Sequence, residues 1–416
     1  MQQNLEKELE KIYIIQPITS ENASSYRFLQ EEAVSLIESA GAAYAGTLYQ
    51  HVREINPATF IGPGKLSELA SILSDLENIT ILFNGDLSPS QTLNISAALN
   101  DRKVIDRTTL ILDIFAKNAK SSEGKLQVEL AQLKYRYPRL KGKGSALSRL
   151  GGGVGTRGPG ETQLETDRRY IRNRINYLEQ RLKETEKRRN LLLERRKKDS
   201  VKTISLIGYT NTGKSTLMNL LTGADVYVKN ELFATLDPTA RKFEIDGATF
   251  LLTDTVGFLR DLPHHLVEAF HSTLESALHC DLALIVCDAS ADYEMQLKTT
   301  QETLQDMDFS APTLLVFNKC ENLDVSSLPI DCIPVSAKEN IGIDKLKKEI
   351  LRCFSNDYLF CQLFIPYERT AVYAKIRNLL TERSIQFTDC GQEIDAVIPR
   401  IYADLFTDFI QPRTVR

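Results

Sequence analysis

Nine consecutive residues, Gly208-Tyr209-Thr210-Asn211-Thr212-Gly213-Lys214-Ser215-Thr216, set glycines, a lysine and hydroxyls at the spacing G-x-x-x-x-G-K-[ST]. They follow the β-rich run Thr203–Ile207, expected to be a strand, and open a helical pattern, which is the context a phosphate-binding loop requires. Glycines let the backbone turn tightly, so that successive N–H groups face phosphate oxygens, and the helix N-terminus adds positive potential. Lys214 would then meet the β- and γ-phosphates and the Ser215 hydroxyl would bind Mg²⁺. Downstream, Leu251-Leu252-Thr253-Asp254-Thr255-Val256-Gly257 ends an apolar strand on an acid and a glycine. Asp254 suits the Mg²⁺ shell and the Gly257 amide can reach a γ-phosphate, which makes this segment nucleotide-sensitive.

Two further runs complete a constellation: Asn318-Lys319-Cys320-Glu321 after the apolar run Thr313–Phe317, and Ser336-Ala337-Lys338 after Ile333-Pro334-Val335. In this order the set resembles the translation-factor class of P-loop GTPases, where N-K-x-D and S-A-K form the base pocket. The resemblance implies GTP and GDP as ligands, with a carboxylate accepting the guanine N1–H and N2–H₂ donors as a pair. Here that carboxylate is Glu321, where the family has Asp. The extra methylene loosens the bidentate geometry, so guanine stays the expected base with weaker discrimination against ATP. Within a GTPase, the switch threonine is expected between the loop and Asp254. The segment Phe233-Ala234-Thr235-Leu236-Asp237 offers Thr235 as the second hydroxyl on Mg²⁺, with Thr239 as its rival. Lys214, Thr235, Asp254 and Gly257 are then the expected catalytic set. The position after D-x-x-G, where Ras-like enzymes use glutamine to orient water, is Phe258, and a benzyl group cannot do this. Slow intrinsic hydrolysis is expected, with the missing element supplied by a partner, another residue or a cation. Asn211 stands where some related GTPases hold K⁺, although asparagine also simply suits turns.

Positioning these groups takes several units. At 416 residues the chain exceeds one core, and 42 % apolar with 25 % charged residues is ordinary soluble composition. No apolar run approaches the ~18–20 residues of a membrane helix. The first residues, Met1 to Lys7, lack a secretory pattern, and seven scattered cysteines form no C-x-x-C pair, so a reducing cytoplasm is expected. The expected architecture is multidomain α/β. Residues 1–109 read as a parallel α/β domain, with strands at Lys11–Ile15, Ile79–Phe83 and Lys103–Ile105 and helices at Glu31–Ala40 and Lys65–Leu76. Residues 110–199 read as a long helical hairpin, its first arm closed by Pro138 and its connecting loop, 141–160, rich in glycine. Residues 200–355 read as a doubly wound GTPase domain with a mixed sheet, with strands at Thr203–Ile207, Thr249–Thr253, Leu282–Cys287, Thr313–Phe317 and Cys332–Val335. Residues 356–416 read as a small α+β domain: runs Tyr358–Ile365, Ser384–Phe387 and Ile394–Ile398, a helix over Glu368–Glu382 and a short final helix.

The formal net charge of −4 averages unlike parts. From Lys134 to Ser200 there are 20 Lys+Arg against 8 Asp+Glu, a surplus of +12 that leaves −16 for the rest. Such a block is either a solvated helix face or a nucleic-acid patch.

The upstream motifs sharpen the resemblance. Asp106-Arg107-Thr108-Thr109-Leu110-Ile111-Leu112-Asp113-Ile114-Phe115, Glu123–Leu133, Ser148-Arg149-Leu150-Gly151-Gly152-Gly153 and Gly158-Pro159-Gly160-Glu161-Thr162-Gln163-Leu164-Glu165 look like the HflX family of ribosome-associated GTPases, as do Phe233–Asp237 and Asp254–Phe258. The resemblance runs from about residue 10 to 365, and departs at Thr212, where the family has alanine, and at Glu321. It implies a cytoplasmic GTPase that binds the large ribosomal subunit when GTP-loaded and helps split or rescue stalled and hibernating ribosomes, often in heat stress. A basic hairpin with a glycine-rich tip could neutralise several rRNA phosphates at once. Lys141, Lys143, Arg149 and Arg157 at the tip and Arg168 and Arg169 on the stem are the expected RNA contacts, without a DNA partner and with a monomer as the starting expectation. A ribosome-assembly or tRNA-modification GTPase, an ATP-dependent RNA-remodelling enzyme and a scaffold with a dead nucleotide site remain rival readings.

Overall fold

The computed structural model describes residues 9–76, 78–140, 159–198, 201–223, 232–233, 239–255, 257–260, 279–323 and 328–411. By its contacts the chain divides into two compact units. One comprises Met1–Lys187, Lys229–Asp237 and Asp261–Ser272, the other Arg188–Val228, Pro238–Arg260 and Thr273–Arg416.

In the first unit, β1 (Lys11–Ile18), β2 (Ala43–His51), β3 (Ile79–Phe83) and β4 (Val104–Asp106) form a parallel sheet in the order β2-β1-β3-β4. Seven of the eight β1 residues are buried, the near-continuous apolar signature of a strand covered on both faces. The covering helices are α1 (Tyr26–Ala40), α2 (Pro63–Ile72), α3 (Pro89–Ala98) and α4 (Arg107–Asn118). Strand β2 carries a mixed Ala-Tyr-Ala-Gly-Thr sequence of low apolar contrast and was not expected from the pattern. A buried polar cluster closes the carboxyl ends of β1 and β3. Asn84 donates to Gln16 (2.6 Å) and to the Leu29 carbonyl (3.0 Å), and Arg107 donates to Asn84 (3.1 Å) and pairs with Glu32. Charges are buried only when paired in this way.

The expected first arm of the hairpin is two helices, α4 and α5 (Ser122–Arg139), because Ser121 caps a new start by accepting from the Gly124 amide at 2.8 Å. Pro138 does not close α5 but lies inside its last turn. The second arm, α6 (Pro159–Lys198), is 40 residues long. Arg174 makes a forked pair with Glu129 at 2.6 and 2.9 Å, and Lys134 pairs with Glu179 at 2.8 Å, tying α5 to α6.

The second unit holds β5 (Lys202–Ile207), α7 (Lys214–Thr222), β6 (Thr239–Ile245), β7 (Ala248–Asp254), β8 (Leu282–Asp288), α8 (Tyr293–Asp306), β9 (Thr313–Asn318), β10 (Cys332–Pro334) and α9 (Ile343–Cys353). Its six-stranded sheet runs β10-β9-β8-β5-β7-β6, parallel except for the β6–β7 hairpin through Asp246-Gly247. The sheet is therefore mixed, as expected, although β6 itself was not read from the sequence. A second, antiparallel sheet in the order β11-β13-β12 is formed by β11 (Tyr358–Pro366), β12 (Thr381–Phe387) and β13 (Gly391–Pro399), with a short α10 (Thr370–Ile376) and 3₁₀ turns. The helix expected over Glu368–Glu382 is a correction: it stops at Ile376, and Thr381 and Glu382 belong to β12, because pairing with β13 outweighs helical propensity. The final helix is a 3₁₀ run over Arg400–Phe406. Tyr358 joins the core of the larger sheet, packing edge-on against Phe250 at 5.5 Å and donating to the Thr249 carbonyl at 2.7 Å. Among the described residues no helix is long and apolar enough to cross a membrane.

Candidate nucleotide site

The central strand β5 ends at Ile207, and the loop Gly208–Gly213 carries the chain into α7 at the carboxyl edge of the sheet, between β8 and β7. This is the position at which doubly wound sheets bind their ligands. Gly208 has φ +150°, and a Cβ on it would stand 2.2 Å from the Val286 carbonyl oxygen of β8, so no other residue fits. Asn211 also turns through the left-handed region, at φ +59°.

Lys214 is buried at the first turn of α7 and donates to the carbonyls of Gly208 (3.1 Å) and Tyr209 (2.5 Å), which folds its side chain back over the loop. Burial pushes its ammonium down to about 8, with the Asp254 carboxylate opposing the shift. Ser215 donates its hydroxyl to Asp254 Oδ2 at 2.6 Å. A hydroxyl and a carboxylate side by side at a helix N-terminus are the hard oxygen donors that Mg²⁺ takes beside phosphate oxygens. The donor set and the glycine cradle therefore fit a magnesium–nucleotide complex.

The D-x-x-G segment closes on the loop through its backbone. The Phe258 amide donates to the Gly208 carbonyl (3.1 Å) and the Thr210 amide to the Phe258 carbonyl (2.8 Å). Gly257 is pressed so close that a Cβ would meet Thr210 Cα at 2.5 Å. The Phe258 side chain is 2 % exposed, part of the core and not of a water-binding surface. Thr255 ties back to β5 by donating to the Leu206 carbonyl at 2.8 Å.

On the base side, Asn318 is buried and bonds in two directions. It donates to the Thr212 carbonyl at 2.8 Å and accepts from the Ala337 amide at 2.9 Å, joining phosphate loop, N-K-x-E run and S-A-K run. Lys319 reaches the Asn211 carbonyl (3.0 Å) and pairs with Asp288 Oδ2 (2.6 Å). Glu321 is exposed, and a hydrogen bond from Ser336 holds its carboxyl below the usual range. Ser336 also caps the following turn by accepting from the Glu339 amide at 3.1 Å.

The structure thus gathers Gly208 to Thr216, Asp254, Thr255, Gly257, Asn318 to Glu321 and Ser336 to Lys338 at one edge of one sheet. Phe233 is placed within the first unit, on Phe115. Ala234, Thr235, Leu236, Asp237 and Val256 lie outside the described residues, as do Lys141, Lys143, Arg149 and Arg157. Thr239, the rival to Thr235, begins β6 and leans its hydroxyl on Met218 Sδ at 3.8 Å. Arg169 is exposed on α6, and Arg168 is half-buried, 5.4 Å above the Tyr137 ring. One residue was missed: Asp288, which orients Lys319 and caps the next turn by accepting from Ser290 at 2.6 Å. Its signal was available, an acid ending the apolar strand Leu282–Asp288.

These features define a P-loop GTPase, with phosphate loop, D-x-x-G acid, N-K-x-E run and S-A-K run at one edge of one sheet. Three family models match the chain between residues 29 and 319: "GTP-binding GTPase N-terminal" over residues 29–116, "GTP-binding GTPase Middle Region" over 118–196 and "50S ribosome-binding GTPase" over 203–319. The chain is 48 % identical to GTPase HflX of Caldanaerobacter subterraneus over 92 % of its own length and 88 % of the relative's. It is 39 % identical to that of Lacrimispora saccharolytica over 96 % of both chains, and 42 % identical to that of Escherichia coli over 84 % of both. The chain belongs to the HflX family of GTPases and is a GTP hydrolase.

Proposed function

We propose that this GTPase docks on the large ribosomal subunit in its GTP state, through rRNA contacts of the basic hairpin, and separates stalled or hibernating ribosomes in the cytoplasm, notably under heat stress. The observation that carries the partner dependence is the burial of Phe258. With its ring in the core and its backbone bonded to Gly208 and Thr210, the position that orients water in Ras-like enzymes holds no polar group. The ribosome therefore supplies the missing element. Ser215, Asp254 and Thr235 would hold Mg²⁺, which would neutralise phosphate charge. Lys214 and the Gly257 amide would meet the β- and γ-phosphates, and Asn211 would be the residue beside K⁺. The excess of positive charge between Lys134 and Ser200 supports the RNA contact, with Lys141, Lys143, Arg149, Arg157, Arg168 and Arg169 as its groups. Residues 1–109, 110–199, 200–355 and 356–416 serve as four functional pieces, the second being the RNA arm. Exposed Glu321 leaves an ATP-dependent remodelling activity as the second reading.

The test is pelleting with purified large subunits in a non-hydrolysable GTP analogue, GDP and no nucleotide, with turnover measured in parallel. Analogue-specific binding and subunit-stimulated turnover are expected. Equal binding in all three states, or fast turnover without subunits, would remove the reading, and equal ATP and GTP affinities would favour the remodelling enzyme.

A further inference from the structure

The strand order of the parallel sheet leaves β4 at its edge, where it borders a cavity of 470 Å³. That volume lies within the roughly 300–1,000 Å³ of small-molecule sites. Thr92 of α3 and Leu112 of α4 both line the cavity, one helix packed on each face of the sheet, so the space opens along the edge itself. On the inner side of β4 the Ile81 amide donates to the Lys103 carbonyl at 2.9 Å, and Ile81 stands opposite Val104. In a parallel ladder this register turns the amide and carbonyl of Val104 away from β3 and out of the sheet. Val104 lines the cavity, which therefore has a backbone donor and a backbone acceptor side by side on one wall. Such a pair is a template for another extended backbone.

The polar side chains of the cavity fall into two sets. The inner set is satisfied within the fold. Asp106 accepts from the Thr109 amide at 3.0 Å, from Arg139 at 3.1 Å and from the Tyr135 hydroxyl. Arg139 also donates to the Leu87 carbonyl at 2.9 Å, with its guanidinium 3.4 Å from the centre of the Tyr135 ring. The outer set is Asp113 of α4 with Gln132 and Arg136 of α5, and among the described residues none of the three has a hydrogen-bond or ion-pair partner. Desolvation raises the Asp113 carboxyl from its ordinary value, while the charges of Lys103 and Arg136 oppose the shift. Arg136 is thus near enough for its charge to be felt at Asp113, yet the two do not close on each other. A cation alone would meet Arg136 as a like charge, and an anion alone would meet Asp113. A ligand carrying both charges satisfies both groups, and Leu112 and Leu140 add apolar surface for its body.

We propose that this cavity binds a short peptide with both ends free, its ammonium on Asp113, its carboxylate on Arg136 and its peptide group paired with the Val104 backbone. The guanidinium fork of Arg136 matches a carboxylate in two parallel bonds, and the Gln132 amide is left for a peptide carbonyl. Strand β4 is three residues long, about 10 Å of edge at ~3.3 Å per residue, so the paired stretch is two or three residues. That length separates a small free peptide from a long added strand.

The test titrates the full chain calorimetrically with L-leucyl-L-leucine, for which a dissociation constant of about 0.1–1 mM is expected. Asp113→Asn and Arg136→Gln should each weaken binding by about fivefold to tenfold. Asp113→Glu, which keeps the charge, should return it to within about threefold of the parent. Capping assigns the ends. N-acetyl-L-leucyl-L-leucine should bind the parent more weakly and be indifferent to Asp113→Asn, and L-leucyl-L-leucinamide should be indifferent to Arg136→Gln in the same way. Hydrogen exchange at the Val104 amide should slow when the uncapped dipeptide is bound. No saturable heat up to about 10 mM dipeptide overturns the proposal. Equal affinity in the parent and both charge-removing variants overturns it as well, as does an acetylated peptide that still loses affinity on Asp113→Asn.

Discussion

The two halves of the nucleotide site are built from different materials. The phosphate side is backbone and buried charge: Gly208 folded against Val286, Gly257 pressed on Thr210, Lys214 enclosed and bent onto its own loop. The base side is side chains on a surface: Glu321 exposed and steadied by Ser336, and Lys319 partly open and paired with Asp288. Backbone geometry admits few residue types, because a clash or a forbidden φ has no cheap relaxation. A surface carboxylate can be lengthened by a methylene and still find its partner. This chain shows that contrast, keeping every glycine of the loop while carrying Glu in place of Asp at position 321.

Four substitutions or conditions would sharpen or break the contrast. Gly208→Ala should cost the most, about 3 kcal/mol of folding stability, since its Cβ meets a backbone carbonyl and its φ suits only glycine. A denaturant midpoint unchanged from the parent would show the loop to be pliable. Lys214→Ala should weaken GDP binding on the order of fiftyfold, the worth of a buried charge-assisted contact to phosphate. Isothermal titration reads it directly, and a loss below fivefold would move the phosphate charge partner elsewhere.

The third concerns pH. Lys214 titrates near 8 when buried without phosphate, and a bound phosphate raises that value. Below pH 8 the ammonium is charged in both states and GDP affinity should be flat. Above it, binding must take up a proton, so affinity should fall by up to about tenfold per pH unit. A flat affinity to pH 9.5 would mean that Lys214 stays charged in the free protein. The smallest effect is expected at Glu321→Asp, about twofold to fivefold better discrimination of GTP over ATP, read by competition binding. A change as large as that at Lys214 would show the two sides to be equally strict.

Local chemistry made much of this legible in advance. A phosphate loop is a contiguous string, so the spacing from Gly208 to Ser215 carries its own geometry. Strand-ending acids announce themselves where an apolar run stops, as at Asp254, and Asp288 could have been found the same way. The strands β1 and β8 were legible because burial on both faces makes them nearly continuously apolar. Strands β2 and β6 were not, because edge strands carry mixed sequences whose pairing is decided by neighbours distant in the chain. The same cause put Thr381 and Glu382 in a strand, where a local reading extends a helix.

Sequence alone determined the kind of ligand and the order of the parts. Phosphate recognition, metal-side donors and base pocket are short motifs whose chemistry depends on residue type and spacing, and the +12 block is a sum over neighbours. Only the tertiary structure decided what closes on what. It put the Phe258 ring in the core while its backbone seals the loop, joined Thr212, Asn318 and Ala337 through one side-chain amide, and seated Phe233 on Phe115 from 118 positions away. Those are long-range contacts, and their partners are chosen by packing shape and hydrogen-bond satisfaction, which no local pattern encodes.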